Sequence, residues 1–219
     1  MERVIVLALS IGMTCFVPSG FADTWYVATN SATDGPGTAW SNAFWTIQGA
    51  VDAASSNDTV LVTNGVFDIG FTVTPGYLSR SRVVIERDIL VRSVNGPAVT
   101  AIEGAKGAVI DRGSDAIRCV YMSAGVLSGF TITNGHTMSS GDYQFDQCGG
   151  GVNMYRGSGV VSNCVFTGNS ARRGGGGSHE GTLKNCRLMN NFAGDGGGSD
   201  GSILKSCTLL NNTAVGDGG

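Results

Sequence analysis

Charge is scarce in this chain. Asp, Glu, Lys and Arg make up 14% of its 219 residues, against about 25% in ordinary soluble domains. The formal net charge is −3, and the missing basic excess argues against nucleic acid as a partner. Histidine is scarcer still: His136 and His179 are the only two, and their separation matches no zinc-ligand spacing. An apolar run long enough to span a membrane is also missing, because a span needs about 20 residues and the stretch Val4–Val17 is short and followed by Pro18. None of this implies disorder, since 42% of the residues are hydrophobic, more than a disordered chain carries.

What is present is glycine, 35 residues of it, about twice the usual share of roughly 7%. Glycine with Asn, Ser and Thr at low charge reads as a turn-rich β protein. The N-terminal segment is different. Arg3, the apolar stretch and Gly20-Phe21-Ala22 form a secretory leader over residues 1–22 with cleavage before Asp23. The remaining chain keeps Cys119, Cys148, Cys164, Cys186 and Cys207. An odd number in a secreted protein leaves at least one thiol free or bridged to another chain.

Residues 23–58 read as a cap with one amphipathic helix near 43–54. Phe44, Ile47, Val51 and Ala54 make one apolar stripe at helical spacing, and Ser41 is placed to cap its start. From residue 59 the period changes to short strands, at 59–63, 83–85, 89–91, 109–110, 117–122 and 130–133, with turn residues between them.

A repeat then sets the architecture. Cys164, Cys186 and Cys207 stand 22 and 21 residues apart, and so do Asn169, Asn191 and Asn212 and the apolar set Val161, Leu183 and Leu204. A step of this size indicates stacked repeats. It lacks the Leu ladders of leucine-rich repeats and the nine-residue period of calcium-binding arrays. The fold expected is all-β: a right-handed parallel β-helix over residues 59–219, about seven coils, closed at its N-terminal end by the short helix. Each coil buries its inward face only against its neighbours, so the same residue returns at the same place. Cys164, Cys186 and Cys207 form one inward ladder of free thiols, with Phe166, Leu188 and Leu209 two residues on, and Asn169, Asn191 and Asn212 form a second structural ladder. Gly129, Asn163, Asn185 and Ser206 precede the Cys position, and Gly and Asn tolerate the left-handed backbone of a tight corner; Ser206 departs from that rule. One coil is about 12 residues too long, the excess falling in His136–Cys148, which is expected to stand out from the coil.

These repeats resemble those of bacterial secreted right-handed β-helix proteins, including polymorphic outer-membrane-protein repeats. Phe166-Thr-Gly-Asn169 matches their Phe-x-x-Asn element, Leu188-Met-Asn-Asn191 and Leu209-Leu-Asn-Asn212 match it with Leu, and Gly149-Gly-Gly-Val152 matches their Gly-Gly-apolar element. Trp25–Gly65 resembles their N-terminal cap. The resemblance implies secretion or display at the bacterial outer membrane, with a structural, adhesive or ligand-binding role. The chain ends inside a glycine block, so it reads as a truncated β-helix, able to self-associate through its uncapped last coil.

Candidate chemistry is thin. Asp142 and Asp146, with Tyr143 beside them in the long coil, form the one ligand-binding candidate; a carboxylate pair beside an aromatic ring suits a polysaccharide or another cell-surface ligand. Asp111-Arg112 and Arg172-Arg173 read as turn charges. His179-Glu180 lacks a partner histidine for a metal. No cofactor is expected, except that Asp195, Asp200 and Asp217 in glycine-rich turns could take surface calcium. No catalytic residue is assigned. The alternative function is a polysaccharide lyase or glycoside hydrolase built on the same scaffold.

Overall fold

A computed structural model describes residues 22–31, 34–109, 111–216 and 218. The leader falls almost wholly outside these residues, and Asp217 lies outside them too.

The strands form three main sheets running the length of the coil. Sheet A has seven strands, Thr24–Val27, Thr59–Val62, Leu90–Ser93, Val126–Ser128, Val160–Ser162, Thr182–Lys184 and Ile203–Lys205. Sheet B has six, Gly65–Phe67, Thr100–Glu103, Thr131–Thr133, Val165–Thr167, Arg187–Met189 and Thr208–Leu210. Sheet C has six, Thr72–Val73, Arg80–Ile85, Ile117–Met122, Val152–Asn153, Ser178–His179 and Ser199–Asp200. Every strand pair but Thr72–Val73 with Arg80–Ser81 is parallel. From Thr59–Val62 onward, parallel neighbours within a sheet are joined through the other two sheets, whereas Thr24–Val27 reaches Thr59–Val62 through the helical segment. The chain is a parallel β-helix. Crossovers of this kind wind right-handed, because strand twist permits only that return.

Alternation within each short strand fills the interior. In sheet A the inward column runs Val60, Val91, Leu127, Val161, Leu183 and Leu204 in register; in sheet B it runs Phe67, Ile102, Ile132, Phe166, Leu188 and Leu209. These side chains are buried as far as Leu183 and Leu188, whereas Leu204 and Leu209 of the last coil are 39% and 47% exposed. Between sheets A and B the chain turns at Gly129, Asn163, Asn185 and Ser206, all left-handed, with φ of 83°, 53°, 52° and 54°. Ser206 therefore obeys the corner rule despite its side chain.

The glycine blocks are tied to the asparagine ladder. A Cβ on Gly151 would stand 3.1 Å from the Asn169 side chain, one on Gly177 3.2 Å from Asn191, and one on Gly198 2.8 Å from Asn212. For Gly151 and Gly177 the carbonyl oxygens of Gly177 and Gly198 in the next coil would stand closer still, so the stacked backbone and the asparagine amide together exclude a side chain.

The helix Ile47–Ala53 covers the N-terminal end with Ile47, Ala50 and Val51 buried. It starts later than its apolar stripe. Thr46, and not Ser41, caps it, accepting from the Gly49 N–H at 3.2 Å; Trp40–Asn42 is a separate 3₁₀ turn. The strand expected at 109–110 is absent at Val109, which is a 95% exposed bend, while Ile110 lies outside the described residues. An excursion between Phe67 and Arg80 leaves Ile69, Phe71, Val73 and Leu78 exposed.

Candidate functional site

The long coil does not stand out from the solenoid. It folds down over the outer face of sheet C, where two buried charges seat it. Asp146 is 2% exposed. Its Oδ1 accepts the Leu78 and Ser79 N–H groups at 3.0 and 2.8 Å, and its Oδ2 accepts the Asp142 N–H at 2.8 Å. Arg118, on the strand Ile117–Met122, is fully buried. It donates to the carbonyls of Gly149 at 2.8 Å, Phe145 at 2.6 Å and Cys148 at 2.9 Å, and to Ser79 Oγ at 3.2 Å. Burial lowers its pKa to about 10, against the opposing pull of Asp146, so it stays charged at neutral pH. Each charge meets main-chain groups of a loop that no ladder could otherwise satisfy.

Phe145 anchors the loop between these charges. Its ring stacks on Tyr77 at 3.7 Å, meets Tyr155 edge-on at 5.1 Å and lies 6.3 Å from Tyr121. Tyr155 in turn lies nearly parallel to His179 at 5.8 Å. His179 Nδ1 is 3.1 Å from Asp200 Oδ2, and Nε2 is 2.8 Å from the side-chain amide of Gln144. Burial pushes the His179 pKa down more than Asp200 raises it. Each ring nitrogen faces an oxygen, Asp200 Oδ2 at Nδ1 and Gln144 Oε1 at Nε2. The imidazole is thus held on both sides and 4% exposed.

The candidate trio divides on this surface. Asp146 faces inward, while Asp142 and Tyr143 face out. Asp142 Oδ1 takes the N–H groups of Gln144 and Phe145 at 2.9 and 3.0 Å, so its turn is fixed and its other oxygen is uncommitted to them. Tyr143 is 47% exposed, with the Arg173 guanidinium 5.2 Å over its ring. Arg173 is therefore part of the same surface and not a detached turn charge. Arg112 likewise lies 5.8 Å over Phe192. Asp200 holds His179, and among the described residues no group of three His, Cys, Asp or Glu side chains is placed to hold a metal. The residues that sequence reasoning passed over are Arg118, Gln144 and Tyr155. Only Arg118 left a signal, a cation inside the apolar run Ile117–Met122.

The ladders lie inside the coil. Cys164 and Cys186 are 1% exposed and Cys207 is half-buried, and all five described cysteines are free thiols. Burial pushes the thiols of Cys119 and Cys164 up to about 12 and those of Cys148 and Cys186 up to about 11. Such thiols pack as small apolar groups.

No family model matches the chain, and no curated protein sequence matches it. Among solved structures a rhamnogalacturonan lyase is similar at a TM-score of 0.41 and 13% identity, over 90% of this chain and 53% of the lyase. The chain thus spans about half the length of that structure. No helix among the described residues is long and apolar enough to cross a membrane.

Proposed function

We propose that this is a secreted or surface-displayed β-helix protein that binds a ligand, a polysaccharide or another cell-surface molecule, on the flank carrying the insertion. The observation that carries the reading is the fixed seat of that insertion. Asp146 and Arg118 lock its backbone to sheet C, so Asp142 and Tyr143, with Arg173 over the ring, are presented outward without loop-ordering cost on binding. An exposed tyrosine beside a carboxylate and a guanidinium offers a stacking face and both hydrogen-bond polarities to a sugar ring. The likeness of the repeats to polymorphic outer-membrane-protein repeats supports display at a bacterial surface. The half-exposed Leu204 and Leu209 support self-association through the last coil.

A second reading draws on the His179–Asp200 pair, an imidazole oriented by a carboxylate as in general-base catalysis. It would make the protein a polysaccharide lyase or hydrolase, and it requires Gln144 to leave Nε2. Incubation with a panel of acidic and neutral polysaccharides separates the two. Binding without chain shortening, weakened in Tyr143→Ala, supports the ligand-binding role. Depolymerisation that is lost in His179→Gln would replace it with the enzymatic one.

A further inference from the structure

The outer face of sheet A carries a column of residues in strict register: Arg92, Ser128, Ser162, Lys184 and Lys205. Arg92, Lys184 and Lys205 are exposed, the two serines partly so. The chain has three lysines, and two of them stand directly over one another here. In-register neighbours are about 4.8 Å apart along the coil axis, and like charges set opposite each other on one sheet face repel. Arg187, exposed and just past the left-handed corner at Asn185, adds a fourth cation to the same flank.

Among the described residues no ion pair engages any of these four cations. The segments 125–134, 157–170, 181–194 and 201–216, which build the sheet A and sheet B strands and the corners between them in four successive coils, contain no Asp or Glu, while Glu103 ends the sheet B strand of the coil before them. This is unexpected in a chain of net charge −3. The middle of the column is neutral but polar: Ser162 Oγ bonds Ser128 Oγ at 3.0 Å, and Asn163 Nδ2 reaches the same hydroxyl at 3.3 Å.

We infer that this column is a binding strip for a linear anionic polysaccharide lying along the coil axis. Carboxylates or sulfate esters would sit on Lys184, Lys205, Arg187 and Arg92, with sugar hydroxyls over the serines. Bridging by an anion turns the lysine repulsion into attraction, because each ammonium then faces an opposite charge. The column is straight, with Arg187 beside it across the corner on sheet B, which fits an extended polymer better than a flat membrane. Between Arg92 and Lys205 it carries no aromatic ring on which nucleic-acid bases could stack; Tyr26, two strands beyond Arg92 in the same column, packs edge-on against Trp40 at 4.7 Å. The inference adds a second face and a ligand class to the ligand-binding reading, and it does not involve the insertion.

The experiment is affinity electrophoresis of the full chain in gels containing dextran sulfate, polygalacturonate or neutral dextran, at low and high salt. The proteins compared are the wild type, Lys184→Gln/Lys205→Gln, Lys184→Glu and Tyr143→Ala. The wild type should be retarded by one or both anionic polymers and not by dextran, and the two arms tell sulfate from carboxylate. The double variant should lose about tenfold or more of that affinity, and salt should abolish most of the rest. Lys184→Glu should bind as weakly while melting at the same or a higher temperature, since it replaces a like-charge pair with an opposite one. The inference is overturned if the double variant binds like the wild type, if dextran retards the protein equally, or if neither anionic polymer retards it. It is also overturned if Tyr143→Ala alone removes binding, which would place the ligand on the insertion and leave the proposed function standing.

Discussion

Asn169 and Asn191, 22 positions apart in sequence, are joined by two hydrogen bonds inside the coil: Asn169 Nδ2 donates to Asn191 Oδ1 at 2.9 Å. The same oxygen accepts the Asn169 backbone N–H at 3.1 Å. Asn191 repeats both bonds to Asn212 at 2.9 and 3.1 Å, and donates to the Phe166 carbonyl at 3.2 Å. Each asparagine thus satisfies main-chain groups left over where a strand of sheet B ends. Asn191→Leu should cost about 2–4 kcal/mol, because the buried Asn169 donors and the Phe166 carbonyl, all of the preceding coil, lose their partner. Urea unfolding followed by circular dichroism measures the loss, and a change below about 0.5 kcal/mol would contradict the ladder's role.

The thiol ladder makes a different demand. Cys186 is 1% exposed and fills space between coils. Cys186→Ala should cost about 1–2 kcal/mol by leaving a small cavity, and Cys186→Asp should prevent folding through an unpaired buried charge. Thiol titration of the unfolded, unreduced protein should find every one of the five described cysteines reactive. In the native state only Cys207 should react quickly, because it alone of the five is not buried. Fewer reactive thiols after unfolding would reveal a bridge and end the packing account.

Stability should fall in mild acid. Burial holds the pKa values of His136 and His179 below the usual 6.5. A group depressed in the folded state stabilises above its unfolded pKa and loses that contribution as pH falls through the folded one. Tm should therefore be flat above about pH 7 and decline as the pH drops below about 6.5. In His179→Gln, which cannot take the proton, the decline should be shallower. An identical pH profile for wild type and variant would show that His179 contributes nothing to it.

Arg118 should be the most damaging single position on the insertion side. Arg118→Met removes donors from the carbonyls of Phe145, Cys148 and Gly149 and leaves Asp146 without its nearby charge. The expected cost is about 3–5 kcal/mol, with the insertion freed first. Limited proteolysis should then cut between residues 139 and 147 while the coils stay protected. Resistance equal to the wild type's would mean that Asp146 and Phe145 hold the loop without Arg118.

The last coil should drive association. Ile203, Leu204, Leu209 and Leu210 are between 39% and 59% exposed, beside sheet edges without a further strand among the described residues. Sedimentation should show concentration-dependent dimers or larger species, reduced by Leu204→Lys/Leu209→Lys. A wild-type monomer at every concentration would remove self-association from the proposed partners.

The repeat made the fold readable without coordinates. A solenoid stacks identical neighbours, so the spacing of Cys164, Cys186 and Cys207 alone states the coil length and which residues share a column. The amphipathic stripe at Ile47 and Val51 located the capping helix for the same reason: burial is periodic wherever an element packs on one side. Where the chain leaves the repeat, that reasoning has nothing to compare. The sequence from His136 to Cys148 shows how many residues are extra, but not that Phe145 turns down between Tyr77 and Tyr155 or that Asp146 points inward while Asp142 points out. Those outcomes depend on groups 67 and 68 residues away, the Ser79 and Leu78 amides, and on a cation, Arg118, whose partners come from two separate stretches of chain, 79–81 and 145–149. Local pattern determined the coils, because each coil answers only to its neighbours. Tertiary contact decided the insertion, because buried charges choose their orientation from whatever unsatisfied backbone the rest of the fold brings to them.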